Sequence, residues 1–182
     1  TLERVSASPG TFDYQKLRWF NQYYINHILE LDDLTLRVMP FLATAGLILP
    51  GPFTFEHEDY ARVRAATALL KDRIETLAEA PDLMTYFLRD ELEAYDPALL
   101  VPKKGTPEDS LRVLEAVATL LPEIDLADEA AAEARFRALA DEMGVKAGNL
   151  FMPIRVAATG RTQSPGLFET LGVIGKERVQ ER

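Results

Sequence analysis

Acidic side chains are plentiful in these 182 residues, but the sequence shows no constellation of types and spacing suited to covalent or acid–base catalysis. The two imidazoles are His27 and His57, and there is no cysteine, so neither a thiolate nucleophile nor a Cys/His zinc tetrahedron can be assembled. His57 stands in Glu56-His57-Glu58, whereas a helical metalloprotease pair needs two histidines four residues apart. Gly175-Lys176-Glu177-Arg178 lacks the second glycine and the hydroxyl of a phosphate-cradling loop. It reads as a helix stop followed by a charged, solvated turn. There is no Gly-x-Ser-x-Gly elbow either. The chemistry left is recognition, so the residues describe a binding or structural module.

Composition narrows this further. A hydrophobic content of 47% with 27% charged residues suits a folded chain and not a disordered one. No apolar run approaches the roughly 18–20 residues that span a bilayer. The first residue is Thr1, not Met, which leads one to expect a piece of a longer protein. The absence of cysteine is consistent with a reducing cytoplasm. A net charge of −9 argues against a polyanionic partner, because phosphate contacts need lysine and arginine. The charge is uneven, however. Residues 145–182 hold Lys146, Arg155, Arg161, Lys176, Arg178 and Arg182 against Glu169, Glu177 and Glu181, a net of +3, so the first 144 residues carry −12. Such asymmetry points to a local polyanion-facing surface, the alternative being charges merely scattered over a solvated exterior.

The elements that must carry these side chains are helical throughout. Leu17, Phe20, Tyr24 and Ile28 recur at steps of three and four, one face of a helix from Asp13 to Ile28. Asp32 or Asp33 should cap a second helix through Leu34, Val38 and Leu42, kinked by Pro40 and ended by Gly46. A loop follows over 47–55. Tyr60, Val63, Thr67 and Leu70 mark a third helix, and 75–88 a fourth, interrupted near Pro81. Pro97, Pro102, Gly105 and Pro107 around Lys103 and Lys104 make 95–107 the candidate hinge between two bundles. Thr106-Pro107 with Asp109 signals a helix start, running through Leu111, Leu114, Val117 and Leu121 to Pro122. Further helices are expected over about 126–143, closed by Gly144, then 149–158 ended by Gly160, and 165–174 capped by Ser164. Gly175 stops the last of these, and Lys176–Arg182 begins a final turn. With no strand alternation and no internal repeat, the fold class is all-α.

Two segments resemble a known family. The first is Lys16-Leu17-Arg18-Trp19-Phe20-Asn21-Gln22-Tyr23-Tyr24-Ile25, similar to the Lys-Leu-x-Trp-x-Asn-x-x-Tyr-Ile helix of bacterial-type glutamyl-tRNA synthetases. The second is Arg155-Val156-Ala157-Ala158-Thr159-Gly160, then Ser164-Pro165-Gly166-Leu167-Phe168-Glu169 and Gly175-Lys176-Glu177-Arg178, which resembles that family's C-terminal signature. The likeness covers the whole chain in order. It implies a short remnant of the stem-contact domain (1–29) followed by two anticodon-binding helical bundles (30–95 and 96–182), without the catalytic domain. The implied partners are a glutamate tRNA and the rest of the enzyme, the implied state a cytoplasmic monomer. The parent's ATP and magnesium would find no site in this part, which should be inactive alone.

By the same resemblance Arg73 aligns with the arginine that reads the third anticodon base, and Arg155 with a second anticodon-contacting arginine. Ser164, Pro165 and Leu167 align with the turn that packs on the splayed bases, and Lys16 and Trp19 with residues touching the tRNA on its inner side. Physical chemistry makes the Arg73 role reasonable. Glutamate anticodons end in cytosine, whose N3 and O2 are adjacent acceptors that a planar guanidinium fork meets bidentately. Glutamine anticodons end in guanine, which turns N–H donors toward the fork, at a cost of roughly 1–3 kcal/mol per unsatisfied group. The alternative is an exposed Arg73 paired with Glu75 or Asp72. Arg155 lies among Ile154, Val156, Ala157 and Ala158, so its stem should be half-packed and its head aimed outward. Leu167 could support a base or join the core; Phe168 reads as core. Trp19 reads as helix core or as a stacking platform. Two rival functions stay open: an acidic helical protein–protein interaction module, and the anticodon part of an enzyme that also accepts glutamine tRNA.

Overall fold

The computed structural model describes residues 12–182, and among them every regular element is helical. The start of the expected stem-contact remnant lies outside the described residues. The helices are α1 (Tyr14–His27), α2 (Leu31–Thr44), α3 (Tyr60–Leu70), α4 (Ala80–Leu88), α5 (Pro107–Leu120), α6 (Glu129–Glu142), α7 (Ala147–Thr159), α8 (Leu167–Ile174) and α9 (Lys176–Glu181). Short 3₁₀ turns at Lys71–Arg73, Leu77–Glu79, Pro97–Leu100 and Leu121–Glu123 link them.

A side-chain cap sets three of the starts. Asp13 accepts the amide of Lys16 at 3.0 Å, Thr106 that of Asp109 at 3.1 Å and Asp128 that of Ala131 at 3.0 Å, each satisfying an otherwise orphaned donor. Three expectations about helix starts need correction. Helix α2 begins at Leu31 after Glu30, so Asp32 and Asp33 sit in its first turn and serve as ion-pair partners instead of caps. Asp32 meets Arg64 at 2.5 Å, which holds its carboxyl below the usual range, and Asp33 meets Arg37 at 2.9 Å. Pro81 does not interrupt a helix. It opens α4 from the first turn, where its missing N–H costs nothing. Ser164 does not cap α8, whose N-cap is Gly166; the serine hydroxyl is engaged elsewhere.

The core is continuous. Leu34, Val38, Met39 and Leu42 of α2 pack with Val63, Ala66 and Leu70 of α3 and with Met84 and Phe87 of α4. Helix α8 lies against α3, α4, α6 and α7 through Leu167, Phe168, Leu171 and Ile174. Phe168 stands edge-on to Phe151 at 5.4 Å. The α5 register differs from the expected one: Ser110, Val113, Val117 and Leu120 are buried while Leu111 is exposed. Helix α1 has the expected spacing, but only Ile25 is buried in it, and Leu17, Phe20, Tyr24 and Ile28 face outward.

The C-terminal arginines tie distant parts together. Arg178 donates to the Phe87 carbonyl at 2.8 Å. Arg182 donates to the carbonyls of Tyr86 (3.0 Å), Arg89 (2.6 Å), Asp90 (3.3 Å) and Ala158 (2.6 Å). These bonds close the end of α4 onto the end of α7.

Candidate anticodon-recognition site

The end of α7 is shaped by its stop. Gly160 takes φ +68, and a Cβ there would come within 3.3 Å of the Tyr95 ring, so glycine suits both the backbone and the space. The Thr159 hydroxyl bonds back to the Arg155 carbonyl at 2.7 Å and accepts the Arg161 amide at 3.1 Å. The chain thus reverses tightly and sends residues 161–166 back across the end of α7.

Three arginines converge on that return. Arg155 donates to the Ser164 hydroxyl and, at 2.7 Å, to the Pro165 carbonyl. Arg73, on the 3₁₀ turn 91 residues earlier, donates to the Ser164 carbonyl at 3.1 Å. Arg161 donates to the Asp82 carbonyl at 2.7 Å, pairs with its carboxylate at 3.1 Å, and lies 5.6 Å from the Tyr86 ring centre. Burial, then the neighbouring charge of Arg73, lowers the pKa of Arg155. Burial pushes the Tyr86 hydroxyl up to about 12 despite the three nearby guanidinium groups. The result is a concentration of positive charge on one turn of an otherwise acidic chain.

The expected site residues separate into three groups. Arg73, Arg155, Ser164 and Pro165 come together, and Arg73 is exposed. Its guanidinium makes no ion pair with Asp72 or Glu75 among the described residues; Glu75 pairs with Arg18 at 3.2 Å, as Glu79 does at 2.8 Å. Arg155 departs from its expected pose. Its head is half-buried and turned into the Ser164–Pro165 main chain, because that turn supplies two acceptors. Leu167 is core, at 5% exposure, packed below the turn and not presented on it. Lys16 and Trp19 lie on α1, both exposed. Trp19 stacks on Tyr23 at 5.5 Å, and Lys16 stands 6.0 Å from the Phe20 ring. Neither side chain bonds to the arginine cluster among the described residues. Helix α1 does reach the same region through Arg18, whose two glutamates follow Arg73 in the chain.

Arg161, Asp82 and Tyr86 were not anticipated. The one local signal was an arginine directly after the Gly160 stop; the Asp82 partner lies 79 residues away and leaves no sequence trace. Among the described residues no cluster of three acids or histidines could hold a metal. Lys176, in the stretch that faintly suggested a phosphate loop, donates to the Pro122 carbonyl at 3.0 Å.

Comparison with known proteins gives the arrangement its family. A family model described as "Anticodon binding domain" matches residues 33–182. The chain is 41% identical over 175 residues to the glutamate–tRNA ligase of Herpetosiphon aurantiacus, covering 96% of this chain and 34% of that protein. It is 38% identical over 182 residues to that of Thermus thermophilus, covering all of this chain and 36% of the relative. Among solved structures, a glutamate tRNA ligase from Elizabethkingia meningosepticum matches with a TM-score of 0.76 at 19% identity, over 100% of this chain and 33% of that one. The chain spans about a third of the length of the curated relatives it matches. The chain belongs to the anticodon binding domain family, and the relatives it matches are glutamate–tRNA ligases.

Proposed function

We propose that the chain recognises the anticodon loop of a glutamate tRNA for a glutamate–tRNA ligase, with Arg73 reading the third anticodon base. One observation carries the reading: Arg73 and Arg155 meet on the Ser164–Pro165 turn, and Arg73 remains exposed there. A guanidinium has five N–H donors, and Arg73 spends one on the Ser164 carbonyl. The rest suit the paired acceptors of a cytosine edge and oppose the donors of guanine. RNA loops are read in this way, by splayed bases offered donors along their pairing edges. Arg155 holds the turn, and Lys16 and Trp19 on α1 contact the tRNA away from the anticodon. The complete ligase would use ATP and magnesium, held in a catalytic part outside these residues, and act as a cytoplasmic monomer. Residues 30–95 and 96–182 serve it as two adjoining bundles.

Titration of the chain with glutamate tRNA at two salt concentrations tests this. Binding should weaken as salt rises. No binding at low salt would favour the protein–protein rival, for which the acidic composition speaks.

A further inference from the structure

A second concentration of positive charge lies away from the anticodon turn. Between the starts of α5 and α7 is a cleft of about 560 Å³, lined among others by Lys103, Lys104, Arg112, Lys146 and Asn149. Asp109 is the one acid in its lining, and it is occupied: its carboxylate accepts from the Thr106 hydroxyl at 3.0 Å and lies 3.9 Å from Arg112. Lys103, Lys104 and Lys146 make no ion pair with an acid among the described residues, and all three are exposed. In a chain of net charge −9 this is a local inversion of sign.

The walls are built, not loose. The Gly105 amide donates to the Pro102 carbonyl at 2.9 Å, closing a tight turn with Lys103 and Lys104 at its two corner positions. A Cβ on Gly105 would stand 3.2 Å from the Pro102 ring, which marks how closely the turn folds on itself. Ser110, buried at the floor, bonds to the Leu100 carbonyl at 2.9 Å and pins the preceding segment to α5. On the facing wall, α7 follows its N-cap Lys146 with no side-chain cap and no acid in its first turn, so the positive end of its dipole is not offset there.

We infer that this cleft is a second RNA contact, taking phosphate groups of the sugar–phosphate backbone; the inference rests on the tRNA reading above. The lining chemistry selects backbone over bases. No aromatic side chain lines the cleft to stack a base, and lysine ammonium groups meet phosphates as point charges without demanding a planar edge. The same helix α7 that opens at the cleft carries Arg155 one residue before its last turn, so one RNA arm can engage both places. Lys103, Lys104 and Lys146 here position the RNA, while Arg73 discriminates.

The test measures affinity for glutamate tRNA against salt for the unaltered 182-residue chain, for the double variant K103A/K104A and for Lys146→Gln, with helicity checked by circular dichroism. Each lost phosphate contact should flatten the slope of log affinity against log salt by about 0.7–0.9. The double variant should therefore lose about 1.5 from the slope and bind about tenfold more weakly near 0.1 M salt, and Lys146→Gln about half that slope change. Arg73→Gln should leave the slope nearly intact. Slopes unchanged in both lysine variants overturn the cleft assignment while the anticodon reading stands, and would leave the cleft to an acidic protein segment. Failure of the unaltered chain to bind tRNA at low salt overturns both.

Discussion

Arg73 and Arg155 hold the same turn by adjacent oxygens: Arg73 donates to the Ser164 carbonyl at 3.1 Å, and Arg155 to the Pro165 carbonyl at 2.7 Å. One arginine is exposed and the other half-buried, so two positively charged groups close together meet solvent differently: Arg155 is committed to the turn, and most donors of Arg73 stay open.

Replacing Arg73 should therefore separate specificity from affinity. Arg73→Gln should erode preference for a cytosine-ending over a guanine-ending anticodon by ten- to a hundredfold, the worth of roughly 1–3 kcal/mol, with a smaller loss of affinity for glutamate tRNA. Arg73→Lys should lose most of the same preference, because an ammonium cannot present the planar fork. Competitive titration with glutamate and glutamine tRNAs measures this. Equal losses for both would remove the reading role from Arg73.

Arg155→Gln should loosen the turn instead. The Ser164 hydroxyl and the Pro165 carbonyl lose a charged donor, at a cost of about 1–3 kcal/mol in unfolding free energy. Hydrogen exchange at the Thr170 amide, which donates to the Gly166 carbonyl at 2.9 Å, should accelerate, and both tRNAs should bind more weakly in the same proportion. A change in selectivity with an intact turn would instead make Arg155 a reader.

Leu167 and Trp19 give opposite expectations. Leu167 is 5% exposed beneath the turn, so Leu167→Ala should cost about 2–4 kcal/mol in chemical denaturation. Trp19 is 57% exposed, so Trp19→Ala should cost under about 1 kcal/mol while still weakening tRNA binding if α1 touches the RNA.

Gly160→Ala tests the reversal after α7. Alanine at φ +68, with its methyl 3.3 Å from Tyr95, should lower stability by about 1–2 kcal/mol in a urea titration. Gly148→Ala, inside α7 with open space around it, should not.

Tyr86 predicts an alkaline weakness. Its pKa rises from 10.0 to about 12 because burial disfavours the phenolate. The folded state thus keeps the proton longer than the unfolded one, and stability present below pH 10.0 is lost as pH rises toward about 12. The loss should reach about 2 kcal/mol and be absent from Tyr86→Phe. Urea midpoints on either side of this window, compared between the two proteins, measure it.

Much of this was legible because it is local. Thr106-Pro107 fixes the start of α5 through three neighbouring residues, and Gly160 ends α7 by its own backbone. Arg73 and Arg155 could be singled out by resemblance and by the fit of guanidinium to a base edge. What failed was decided at a distance. Ser164 reads as a cap until Arg155, nine residues back, takes its hydroxyl. The partnership of Arg161 with Asp82 crosses the fold and has no periodicity to betray it. The stripe on α1 shows how far a pattern goes: spacing declares an amphipathic helix, but burial depends on what packs against it.

The clasp made by Arg178 and Arg182 on the carbonyls of Tyr86, Phe87, Arg89, Asp90 and Ala158 contains no carboxylate. Guanidinium keeps its charge and a peptide oxygen has no proton to gain in the physiological range. The joint between the ends of α4 and α7 is therefore deaf to acid, whereas the Arg18–Glu79 link beside Arg73 is not. Acidification should slacken the link from α1 to Glu79 first, and leave the joint between α4 and α7 closed.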